Sequence, residues 1–286
     1  MKAMILAAGL GTRLRPLTDT RPKALVELSG RTLLEITLTR LRTFGVTEVI
    51  INVHHFADLI IDYLKSNKNF GMRIEISRED VLLDTGGGLK KAAWFFLEDP
   101  IRPDSRQKDE PFLLHNVDVI SNIDVRAMLQ FHTENQALAT LAVQSRETSR
   151  PLLFDDHNQL RGRRIAGKDT LIPIPRHADI PSPPNTVISS EARNLSSSPS
   201  RDVNAVNPTS APLQPLAFSG IHIISPRLLP MLTEEGIFSI IPSYLRLAAQ
   251  GQKILAFRAN QYYWRDLGKP GDLAQAAQDL QQNVFL

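Results

Sequence analysis

Residues 3–25 restrict this chain more than any other stretch. Ala3 to Ala7 is a short apolar run with the texture of a strand buried on both faces. It gives way at once to Gly9 and Gly11, which remove side chains where the backbone must turn and let its N–H groups converge on an anion. Thr12, Arg13, Arg15, Arg21 and Lys23 crowd donors and positive charge around that turn, and Asp19 is the one acid among them. Strand, bare turn and cations in this order make a site for polyphosphate. A solvated basic loop has no need of two close glycines beside three arginines and a lysine.

Two other glycine motifs are excluded. A P-loop requires Gly-x-x-x-x-Gly-Lys-Ser/Thr, which does not occur. A dinucleotide fingerprint requires a third glycine where Leu14 stands, and Pro16 and Pro22 oppose an immediate helix. A nicotinamide-dependent oxidoreductase is disfavoured on the same ground.

The run from Gly9 to Thr18, followed by Pro22 to Leu25, resembles the signature of the sugar-1-phosphate nucleotidyltransferases, Gly-x-Gly-Thr-Arg-x-Arg-Pro-x-Thr and then Pro-Lys-x-Leu. The resemblance implies an α/β chain with a Rossmann-like three-layer α/β/α nucleotidyltransferase fold and a mainly parallel mixed sheet. It implies a nucleoside triphosphate cradled by Leu6, Ala8, Gly9, Gly11 and Thr12. Arg13 would hold the departing pyrophosphate, and Lys23 would bridge the α-phosphate and the incoming sugar phosphate.

At 286 residues the chain fits one large domain, taken here as a single nucleotidyltransferase domain over 1–286. Hydrophobic residues make up 42%, an ordinary share for a globular protein, and no apolar run approaches a membrane span. The first residues lack the charged and apolar regions of a signal peptide, and cysteine is absent, which suits the cytoplasm. A net charge of +3 fits anionic small substrates as well as nucleic acid; lysines and arginines do not interleave with aromatics along a strand or helix, so a nucleic-acid face has little support.

Apolar spacing predicts a helix over 32–44 closed by Gly45, a strand over 49–53, a helix over 56–64 and a strand over 73–77. That rhythm predicts a parallel sheet whose crevice lies at the strand C-terminal ends. Leu82 to Lys90 then places Gly86, Gly87 and Gly88 in a turn ahead of a helix over 92–97, with Asp84 or Thr85 as its cap. The stretch resembles the Asp-Thr-Gly-Gly-Gly loop of N-acetylmuramate-1-phosphate uridylyltransferases and of mannose- or heptose-1-phosphate guanylyltransferases. In those enzymes the loop packs on the nucleobase, so Gly86 and Gly87 are expected base contacts.

Pro111 to Leu114 is a buried strand running into Asp118, an acid at the mouth of the crevice. A turn aspartate is the plain reading; the resemblance makes Asp118 a magnesium ligand. Glu147 to Asp155 resembles the sugar-side hairpin and offers Arg150 to the sugar phosphate, while the Glu-Lys-Pro segment of many relatives is missing. Residues 170–214 are rich in Pro, Ser and Asn and read as a disordered insertion. Phe218 to Ile224 reads as a strand in which Gly220 permits close approach of a ligand, and it resembles the family's Phe-Ser/Thr-Gly-Ile segment near the sugar. Trp264-Arg-Asp-Leu-Gly268 resembles the element whose aspartate, here Asp266, is the second magnesium ligand, with Lys269 in place of the usual threonine.

The resemblance thus implies transfer of a nucleoside monophosphate from UTP or GTP to a sugar 1-phosphate, with Mg²⁺ as cofactor and pyrophosphate released. The alternative is a non-catalytic relative that binds nucleotide sugars and regulates a partner.

Overall fold

In the computed structural model the described residues are 1–97, 110–172 and 212–282. The first strand, β1 (Lys2–Leu6), sends Met4 into one apolar layer and Ala3 and Ile5 into another. A strand apolar on both faces needs cover on both, and the chain supplies it as alternating helices.

After β1 and its loop come a short hairpin, β2 (Glu27–Leu28) and β3 (Arg31–Thr32), then α1 (Leu33–Thr43). Thr32 caps α1 by accepting the Glu35 amide at 3.1 Å. Next follow β4 (Glu48–Val53), α2 (Ala57–Ser66), β5 (Arg73–Arg78), α3 (Asp84–Lys91) and α4 (Trp94–Leu97). The middle of the chain forms β6 (Phe112–Asn116), β7 (Val119–Ser121), α5 (Val125–Glu134), β8 (Ala139–Gln144), β9 (Leu152–Phe154), β10 (Leu160–Ile165) and β11 (Lys168–Leu171). The last part contributes β12 (Gln214–Ile224), α6 (Ile240–Ala249), β13 (Ile254–Arg258), β14 (Trp264–Asp266) and α7 (Pro270–Gln281).

Ten strands form one mixed sheet along β11-β10-β9-β12-β6-β1-β4-β5, with β8 between β12 and β13. The β6, β1, β4 and β5 segment is parallel, as the strand–helix rhythm predicts. β12 runs against it and pairs with β6, β8 and β9 in turn. Leu34, Leu38 and Leu41 of α1, Ile60 of α2 and Met128 of α5 cover one face; Leu89 of α3, Phe95 of α4 and Tyr244 of α6 cover the other. A smaller cluster joins Leu14 and Leu33 to Leu267 and Leu273, seating α7 beside the first loop. No helix among the described residues is long and apolar enough to cross a membrane.

Two expectations need correction. Gly86 to Gly88 lie inside α3, not in a turn ahead of a helix. The insertion expected over 170–214 is too wide at both ends: Thr170 and Leu171 pair with Arg163 and Gly162, and Gln214 pairs with Phe154. Cross-strand partners, which composition does not show, order these flanks; the remainder, 173–211, lies outside the described residues. Pro226 to Met231 forms a 3-10 turn, in which Pro230 lacks the amide a longer helix needs.

Candidate active site

The parallel strands end on one side of the sheet, and a cavity of about 430 Å³ opens there. Its floor is the loop after β1, from Leu6 to Arg13. Gly11 turns that loop with φ 64, and a Cβ there would lie 2.9 Å from Thr18 Cγ2 and 3.1 Å from Lys23 Cβ. The glycine is therefore required both by backbone conformation and by space. Thr18 Oγ1 donates to the Gly11 carbonyl at 2.9 Å and ties the loop back on itself. At the start of the loop the Ala7 amide donates to Asn52 Oδ1 at 2.7 Å, so the end of β4 fixes the strand-to-loop corner.

Lys23 is buried at 7% exposure and its ammonium is paired with the Asp118 carboxylate. Asp118 follows β6 in the turn to β7, and the Val117 amide before it donates to Leu6 O at 3.1 Å. Asp266 arrives from the far end of the chain. β14 pairs antiparallel with β7 so that Asp266 sits opposite Val119, and the Leu267 amide donates to Asp118 O at 2.8 Å. The turn that carries Asp118 and the strand that carries Asp266 thus meet at one corner despite their separation in sequence.

Gly268 locks this corner. A Cβ there would meet Arg13 Nη2 at 2.8 Å and Asp266 Oδ1 at 2.9 Å. Burial raises the Asp266 carboxyl above its ordinary value, and the Asp118 charge adds to the rise; Lys23 and Arg13 oppose it. Its Oδ1 is buried without a hydrogen-bond partner. An orphaned carboxylate oxygen beside a second carboxylate is a poor arrangement unless a cation joins it. Two oxygen donors of this kind suit a hard divalent ion that takes its remaining ligands from phosphates or water. Among the described residues no group of three or more His, Cys, Asp or Glu forms a metal cage. His115 is buried and neutral: desolvation lowers it to about 4, and its Nδ1–H donates to Asn116 O at 2.8 Å.

The other side of the cavity is built on α3. Three consecutive glycines would ordinarily weaken a helix by about 1 kcal/mol each. Close approach explains them. A Cβ at Gly86 would stand 2.4 Å from the Phe238 ring, one at Gly87 2.5 Å from Gly236 O, and one at Gly88 2.8 Å from both Asn52 Nδ2 and Glu79 Oε1. The Gly86 and Gly87 amides donate to Phe238 O at 2.9 and 3.1 Å. Glu79, 2% exposed, accepts from Asn52 Nδ2 at 2.8 Å and from the Leu83 amide at 2.9 Å. Thr85 Oγ1 accepts the Ile240 amide at 3.0 Å, so the hydroxyl expected to cap its own helix caps α6. Asp84 Oδ1 accepts the neighbouring Thr85 amide at 2.6 Å.

Leu6, Ala8, Gly9, Gly11, Thr12, Arg13, Lys23 and Asp118 all line the cavity, and Asp266 adjoins it through Gly268 and Asp118. Gly86 and Gly87 do not line it; their spatial role is to seat the Gly236–Phe238 turn. Arg150 is exposed in the bend between β8 and β9 and lies outside the lining. Gly220 also lies outside it, with φ 74 and a Cβ position 2.9 Å from Nδ2 of Asn116, which does line it.

Sequence reasoning missed Asn52, Glu79 and Arg146. The Arg146 guanidinium lies 3.7 Å from the Trp264 ring centroid and donates to Phe218 O at 2.8 Å. Trp264 Nε1 donates to Ser219 O at 2.7 Å. Burial lowers the Arg146 pKa, and the charge of Asp266 opposes that shift. An asparagine at the C-terminal end of a buried strand was a usable signal for Asn52; none marked Arg146.

Two curated relatives are N-acetylmuramate alpha-1-phosphate uridylyltransferases. That of Caulobacter vibrioides is 50% identical over 102 residues, covering 35% of this chain and 42% of its own. That of Neisseria meningitidis is 40% identical over 131 residues, covering 46% and 52%. A mannose-1-phosphate guanyltransferase of Neurospora crassa is 38% identical over 144 residues, covering 50% and 37%. The chain therefore spans about half or less of the curated relatives it matches. The fold matches a putative glucose-1-phosphate thymidylyltransferase from Bacillus anthracis at a TM-score of 0.69 and 16% identity, covering 100% and 97% of the two chains. HddC from Yersinia pseudotuberculosis, solved with GMP-PN, gives 0.64 and 19%, covering 98% and 99%. Both are likenesses of the three-layer α/β/α fold. A model of the nucleotidyl transferase family matches residues 2–152, just over half of the chain and the part that carries the glycine loop after β1, Lys23 and Asp118, and the chain belongs to that family.

Proposed function

We propose that this chain transfers a nucleoside monophosphate from UTP or GTP to a sugar 1-phosphate, giving a nucleotide sugar and pyrophosphate, in the cytoplasm. The observation that carries the reading is the meeting of Gly9 to Arg13, Lys23 and Asp118 in one cavity, with the orphaned Asp266 oxygen adjoining it. A phosphate oxygen of the sugar 1-phosphate attacks the α-phosphorus; that bond forms as the bond to the β-phosphate oxygen breaks, and pyrophosphate leaves with the electron pair. The attacking group is already an anion, so no general base is required.

Repulsion is the obstacle. Two unit negative charges 4 Å apart oppose each other by about 4 kcal/mol at an effective dielectric of 20. Lys23 and Arg13 offset it from fixed positions, and the loop amides hold the triphosphate. Asp118 and Asp266 would hold a magnesium ion, which supplies neutralisation of the charge spread over the transferring phosphoryl group. Arg150 and Gly220, on the sugar side of the resemblance, are second-rank candidates for the sugar phosphate.

A panel of four nucleoside triphosphates against N-acetylmuramate, mannose, heptose and glucose 1-phosphates, read by pyrophosphate release with magnesium, tests the reading. Release with at least one pair, abolished by chelator, is the expected result. Silence across the panel overturns it.

A further inference from the structure

We propose that Ile237 is an aliphatic platform on which the nucleobase of the bound nucleoside triphosphate rests; this deepens the nucleotide-binding part of the reading above and depends on it. Ile237 is 64% exposed, the most exposed of the large apolar side chains described, and it lines the same cavity as the phosphate loop, on the side formed by Leu82 and Thr85. A lone exposed aliphatic is common and needs no account. What sets this one apart is the construction beneath it.

Its turn is pinned from both flanks. The Phe238 amide donates to Leu83 O at 3.1 Å, and the Phe238 carbonyl takes the Gly86 and Gly87 amides. Phe238 fills the space that side chains at Gly86 would need. On the other flank Lys90 Nζ donates to Glu234 O at 2.7 Å, and Arg246 grips the Glu234 carboxylate through Nε and Nη2, each at 2.9 Å. Gly236 makes the bend with φ 68. Gly86 and Gly87, which a base-contact reading would give to the ligand, instead hold a turn that presents Ile237 to the cavity. A nucleobase has an apolar face and a polar edge, and the Thr85 hydroxyl and Asp84 carboxylate on the same side offer that edge partners.

The test is calorimetric titration of the full chain, wild type and Ile237→Ala, with UTP, GTP and inorganic tripolyphosphate as probes. Tripolyphosphate presents the same anionic chain without a base. The wild type binds one of the two nucleotides more tightly than tripolyphosphate. Ile237→Ala weakens that nucleotide about tenfold, the scale of three lost carbon contacts, and leaves tripolyphosphate unchanged. Ile237→Leu restores most of the difference. Unaltered nucleotide affinity in Ile237→Ala, or an equal loss for nucleotide and tripolyphosphate, overturns the platform while leaving the nucleotide reading intact. A wild type that shows no preference for either nucleotide over tripolyphosphate overturns both.

Discussion

Lys23 carries a positive charge in a buried position, and the Asp118 carboxylate holds it there. Burying an ammonium is costly unless a partner compensates, so the pair reserves a cation that would otherwise move out to water. Lys23→Met keeps the apolar stem and deletes the charge. Turnover by pyrophosphate release should fall by about two to three orders of magnitude, the usual loss when one fixed donor to a developing charge is removed. The folded circular-dichroism spectrum should be retained. A turnover within a few fold of wild type would remove Lys23 from the chemistry. At this scale the sequence was readable where close spacing keeps residues together, as in Gly9-x-Gly11-Thr12-Arg13 and Lys23, which line one cavity. It was unreadable where a residue gains its role from a neighbour distant in the chain. Arg146 is such a case, because nothing near it announces Trp264 or Asp266.

Among the elements, α3 and β14 hold the two ends of the cavity. Gly86→Ala would press a methyl group into the Phe238 ring, and overpacking of that kind costs about 1–3 kcal/mol. A lower melting temperature with weakened nucleotide binding is expected, because the 236–238 turn must move. An unchanged melt would mean that Phe238 yields freely. β14 is held differently, through the guanidinium stacked on Trp264. Arg146→Met should loosen that indole and shift its fluorescence to the red, since Trp94 is the other tryptophan and lies far away in sequence on α4. The magnesium concentration needed for half-maximal turnover should rise, because the strand that carries Asp266 loses its anchor. Unaltered emission and magnesium dependence would assign Arg146 a purely surface role. The glycine run of α3 shows why part of the site was illegible. Three glycines in sequence signal a turn, and only the close approach of Phe238, Gly236, Asn52 and Glu79 makes a helix of them.

At the scale of the whole molecule, three histidines among the described residues are buried and make the fold sensitive to acid. Desolvation lowers His115 and His132 to about 4 and His222 to about 3. His132 is satisfied by Thr140 and Ser225, and His222 by Tyr244, in their neutral forms. Their folded values are depressed, so their contribution is complete above the unfolded value near 6.5 and is lost as pH falls through that value toward the folded ones. Each costs about 1.4 kcal/mol per pH unit inside that window. Urea melts at pH 7 and pH 5 should show a clear drop in midpoint, relieved in part by His132→Gln; equal midpoints would contradict the burial argument. The alternating strands and helices that raise the parallel half of the sheet were plain from periodicity, but the second half was not, because β12 takes three partners from one strand. That strand has a consequence for synthesis. β8 has both its sheet neighbours, β12 and β13, downstream of residue 213, and one edge of β6 also waits for β12. At ordinary translation rates the ribosome needs on the order of ten seconds to make the missing strands. For that interval the nascent first half carries bare apolar edges, open to chaperones or to sister chains on the same messenger, and it can close only when the carboxyl-terminal strands arrive.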